Sequence, residues 1–91
     1  MGLVQDAQAS VTRYGDSAST TALAAAGLAR QVDVLNEQLS AEGPLGLSTD
    51  PSLAAARTLL GAARHHLAEA AEAALASQEQ VRQYADRAFP L

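Results

Sequence analysis

The chain has 91 residues, a net charge of −4 and 48% hydrophobic residues, but only one Phe and two Tyr, and no Trp or Cys. That length allows one small domain, and the acidity argues against a nucleic-acid or anionic-membrane surface. Without cysteine there are no disulfides, no thiol catalysis and no thiolate metal site.

Half of the hydrophobic residues are alanine, isoleucine is absent, and all six cations are arginine, a composition that fits a GC-rich bacterial genome. Large core side chains are therefore scarce, while helix propensity is high and helices can approach closely. The start, Met1-Gly2-Leu3-Val4-Gln5-Asp6, has neither the basic stretch nor the apolar run of a secretory signal. Asp6 stands where a myristoylation site needs Ser or Thr. No window approaches the run of about 18 apolar residues that a membrane span requires. The chain is expected to be soluble and cytoplasmic as synthesised.

The first predicted helix covers residues 3–41. Steps of three and four give an apolar seam of Val4, Ala7, Val11, Tyr14, Ala18, Thr21, Ala25, Leu28, Val32, Leu35 and Leu39. Within it, Gly15-Asp16-Ser17-Ala18-Ser19-Thr20-Thr21 is poor helix sequence, and a break there would give three helices. Gly15 alone costs about 1 kcal/mol relative to alanine. The heptad phase nevertheless passes through this stretch unchanged, which favours one continuous helix.

Residues 42–50 form the predicted turn, marked by Gly43-Pro44-Leu45-Gly46-Leu47-Ser48-Thr49-Asp50. Asp50-Pro51 is a strong helix start, because the carboxylate caps free amides and proline at the first position sacrifices no hydrogen bond. The second predicted helix covers 51–88, with Pro90 biasing Phe89 out of helical backbone. Its seam reads Leu53, Ala56, Leu60, Ala63, Leu67, Ala70, Ala74, Ser77, Val81, Tyr84 and Ala88.

Folded about the turn, the two seams pair large with small: Leu35 with Ala56, Leu28 with Ala63, Ala25 with Leu67, Tyr14 with Ser77 and Ala7 with Tyr84. The expected fold is all-α, an antiparallel, coiled-coil-like two-helix hairpin with Leu28 and Leu60 buried. Leu23, Val34, Leu59 and Leu75 fall outside the seam and are the candidate partner interface. A lone hairpin of this size has a marginal core. Pairing of two hairpins into a four-helix bundle would cover these residues.

No catalytic, cofactor-binding or metal-binding set emerges. His65 and His66 precede Glu69 and Glu72 on one helix, but the order reverses the Glu-x-x-His unit of carboxylate-bridged bundles and lies off the seam. They read as a solvated face with local pairs. Arg57, Arg64, Arg82 and Arg87 beside Glu69, Glu72, Glu79 and Asp86 read the same way. The serines and threonines have no nearby histidine with an orienting acid.

A signal-less, acidic, cysteine-free and Ala-rich helix-turn-helix of about a hundred residues, with a tail after Tyr84-Ala85-Asp86-Arg87, resembles the WXG-type small proteins of bacterial type VII secretion and their actinobacterial relatives. The resemblance is one of architecture. Gly43-Pro44-Leu45-Gly46 stands where the Trp-x-Gly motif would be, and Ala88, not an acid, follows four residues after Tyr84. The resemblance implies dimerisation into a four-helix bundle, a role as secreted substrate or partner chaperone, and export without a cleaved signal. The function expected is thus a non-enzymatic protein–protein interaction module that pairs with itself or a similar hairpin. The alternative is a cytoplasmic dimerisation or assembly adapter of a larger complex.

Overall fold

The computed structural model describes residues 2–40, 45 and 49–90. Two helices, α1 (Leu3–Gln38) and α2 (Pro51–Ala88), pack against each other. Their 36 and 38 residues make a rod 65 × 17 × 16 Å in extent. No strand occurs among the described residues.

Local chemistry accounts for the ends. The Asp50 carboxylate accepts from the Ser52 amide at 2.7 Å, and Pro51 occupies the first turn. The other end of α1 stops at Gln38, short of the expected 41. There the Leu39 and Ser40 amides turn back to the Asn36 and Glu37 carbonyls at 3.1 and 3.0 Å, tightening the last turn. The Leu39 carbonyl accepts from the Arg57 guanidinium of α2. Ala41 and the Gly43, Pro44, Gly46 and Leu47 positions of the expected turn lie outside the described residues. At its far end, α2 closes with the Phe89 amide on the Ala85 carbonyl at 2.8 Å.

Through Gly15–Thr21 the helix is unbroken. Thr20 donates its hydroxyl to the Asp16 carbonyl at 3.0 Å, so the side chain is satisfied within the helix. Gln78 of α2 then donates to the Gly15 carbonyl at 2.9 Å and to the Ser19 hydroxyl at 2.7 Å. The weakest part of α1 is thus held from across the hairpin.

The seam departs from expectation on one of its two rows. The residues that α1 buries are Ala18, Ala22, Ala25 and Ala29. Continued at steps of four and three, the same line reaches half-buried Gly15, Val11 and Val32. On α2 the expected Leu53, Ala56, Leu60, Ala63, Leu67, Ala74, Ser77 and Val81 are half-buried, and so is the row beside them, Arg57, Arg64, Ala71, Gln78 and Ala85. The expected row through Ala18 and Ala25 and most of the expected α2 seam are therefore kept, with Ala70, Tyr84 and Ala88 exposed. The row Tyr14, Thr21, Leu28 and Leu35 is rotated out to a flank, with Leu28 and Leu35 each 49% exposed. The expected burial of Leu28 is corrected accordingly.

The cause is close approach. On α1 the shared row is flanked by two edges, one of Tyr14, Thr21, Leu28 and Leu35 and one of Gly15, Ala22 and Ala29. Packing on the small edge brings backbones nearer and gains dispersion contacts along the whole length. Leucines on that edge would hold the helices apart. The outcome is a core whose only buried hydrophobic residues, among those described, are alanines.

Candidate functional site

Rotating the seam onto alanine gives the hairpin two unlike broad faces. Positions follow from the heptad spacing of the buried line, three residues apart on one side and one residue on from the shared row on the other.

One face carries most of the polar bonds between helices. Arg64 donates to both oxygens of Asp33 at 3.0 and 3.2 Å, Gln78 bridges Gly15 and Ser19, and Arg57 reaches the Leu39 carbonyl. Near the end of α2, Arg82 bonds Glu79 and Asp86. Its hydrogen bond, with a second from Gln83, holds the Glu79 carboxyl down from the ordinary 4.5 to about 2, and the Arg82 guanidinium is pushed up in turn. Both groups are exposed, so this local staple contributes little to stability.

The other face is the displaced row and its counterpart on α2. At the turn end, Leu35, Ala56, Leu59 and Ala63 line a shallow groove of about 520 Å³ with Gln38, Leu39 and Leu60. Leu28 follows, then Thr21 and Ala70, and then Tyr14, whose hydroxyl is hydrogen-bonded to that of Ser77 as the expected rung pairing places them. Tyr84 stands beyond, its ring edge-on to Phe89 at 6.1 Å between centroids. The residues flanking both rows on this side include Arg87 as their one formally charged group, with His66 beside it. The acids of both helices point to the back or to the opposite face. Charge depletion with exposed leucine and tyrosine is the composition of an interface core.

The structure does not gather the four candidate interface residues. Leu59, 70% exposed, borders the leucine face. Leu23 and Leu75 share a separate groove of about 370 Å³ on the opposite side with Ser19, Ala22, Ala26 and Ala71. Val34 is exposed at the back of α1. Sequence reasoning missed Leu28, Leu35, Tyr14 and Tyr84 as surface residues because it had assigned them to the seam. The signal that could have found them is the second seven-residue line, Gly15, Ala22 and Ala29, running beside them.

Elsewhere, His65 Nε2 lies 2.8 Å and His66 Nδ1 3.7 Å from the Glu69 carboxylate, all three well exposed. Among the described residues no group of three or more His, Cys, Asp or Glu is arranged to hold a metal ion. Among the same residues no helix is long and apolar enough to cross a membrane. Compared with known proteins, the chain matches no family model, no curated protein and no solved structure.

Proposed function

We propose that the chain is a non-enzymatic protein–protein interaction module whose uncharged leucine face pairs with itself or with a similar helical hairpin. The observation that carries this is the inverted use of side chains: alanines fill the core while Leu28, Leu35, Leu59, Tyr14 and Tyr84 face solvent. Covering a leucine contributes about 1.5–3 kcal/mol. Several together are comparable to the whole stability of a small domain. Such a face costs solubility unless something covers it.

Within that role, the architecture supports a type VII-like small hairpin, exported without a cleaved signal as substrate or acting as partner chaperone. A cytoplasmic adapter that docks a larger assembly through the same face is the second reading, supported by the same exposed leucines. Sedimentation equilibrium of the purified chain, alone and mixed with a hairpin protein encoded beside it, tests the pairing. A well-folded monomer that binds neither would refute the module. Appearance of the tagged chain in the medium of its native host separates export from the adapter role.

A further inference from the structure

We infer that the occupant of the leucine face is a second copy of this chain, related by a twofold axis along the rod so that both turns lie at the same end. The inference rests on the interaction-module reading and specifies its partner and geometry.

Size and charge permit it. The broad face, 65 × 17 Å, outlines about 1,100 Å², more than the ~800 Å² per partner of a stable protein interface. Each copy carries a net charge of −4, so two copies repel unless their acids point away from the contact. The leucine face does that: of the charged side chains on the described helices, Arg87 alone flanks it.

Shape selects the arrangement. The Tyr14–Ser77 hydrogen bond places residues whose numbers sum to 91 at one level of the rod. By the same register Leu35 is level with Ala56, Leu28 with Ala63, and Ala7 with Tyr84. A twofold along the rod sets α1 of one copy over α2 of the other without changing level. Leu35 then lies over the partner copy's alanine, Leu28 likewise, Tyr14 over a serine, and Tyr84 over an alanine. Each layer alternates large and small around the four helices, which fills it without voids or overlap. A twofold across the rod instead sets α1 over α1 with levels reversed. Leu28 would meet Tyr14, large on large, while Ala63 would meet Ser77 and leave a gap. Neighbouring helices are antiparallel in both arrangements, so the side-chain layers decide between them.

The test uses the full chain with Thr49→Cys, a single labelling site in a sequence that has no cysteine. Spin-label distances within the dimer should fall on the order of 20–30 Å, the width of a four-helix bundle with its label arms. Turns at opposite ends would place the labels about one rod length apart, 65 Å. Leu28→Glu, which buries two unpaired carboxylates per dimer, should weaken association roughly 100-fold or more. Leu23→Glu on the other side should not, and both variants should keep their helical circular dichroism because both sites are exposed. A dimer with the long distance overturns this arrangement but leaves the module standing. A folded monomer that binds a neighbouring hairpin overturns the second copy as occupant, and one that binds nothing overturns the module as well.

Discussion

Ala29→Leu should be among the most damaging conservative substitutions available to this chain. Ala29 is the most buried of the described residues, 3% exposed, in a line of four buried alanines. An isobutyl group there must push α2 away or adopt a strained rotamer, at a cost of about 1–3 kcal/mol. Leucine and alanine differ little in helix propensity, so Ala62→Leu on the exposed back of α2 serves as the packing-free control. With a urea dependence near 1 kcal/mol per molar for so small a protein, the midpoint should fall by about 1–3 M relative to that control. Leu28→Ala, at a half-exposed site, should cost only about 1 kcal/mol, half the value for full burial. Melts followed by helical circular dichroism must be run dilute, so that association adds nothing to the apparent stability. If Ala29→Leu melts with the control while Leu28→Ala is the costlier change, the leucine row and not the alanine row is the seam. The two-face description would then fail with it.

Gly61→Ala should stabilise the hairpin by up to about 1 kcal/mol, since a Cβ there meets nothing within 4 Å and the helix gains propensity; an unchanged or lower midpoint in a thermal melt would count against open space at this helical position. The Asp33–Arg64 bridge, partly exposed on both sides, should show a coupling of about 0.2–1 kcal/mol in a double-mutant cycle, and a value near zero would contradict the contact between these helix positions. Glu79 should titrate near 2 rather than 4.5. Because its folded value is depressed, its contribution is complete above 4.5 and is lost as the pH falls through about 2. Carboxyl chemical shifts should follow that course in the native chain and move toward the ordinary value in Arg82→Ala; an unshifted Glu79 in the native chain would refute the staple.

The helices and their antiparallel pairing were legible in the residues alone. Seven-residue apolar spacing, the Asp50-Pro51 start, the Gly and Pro cluster and the Pro90 stop are local signals, and propensity and capping act within a few residues of where they are read. Even the levels of the rungs were legible, since Tyr14 and Ser77 meet as complementarity of size predicts. Which edge of α1 would be buried was not. A heptad pattern supplies a shared row with two possible companions, and hydrophobicity ranks the leucine edge first. The folded hairpin ranks them by how closely the second helix can approach, a property of both helices together, and on α1 Gly15, Ala22 and Ala29 prevail. The continuity of α1 past Gly15 was legible in the unchanged heptad phase, whereas the hydrogen bond that Gln78 gives the Gly15 carbonyl, from 63 residues away in the chain, was not. The local sequence thus determined two rods and their register. The tertiary structure decided their rotation, and with it which leucines remain for a partner, because interhelical distance is set by the smallest side chains that two surfaces can bring face to face.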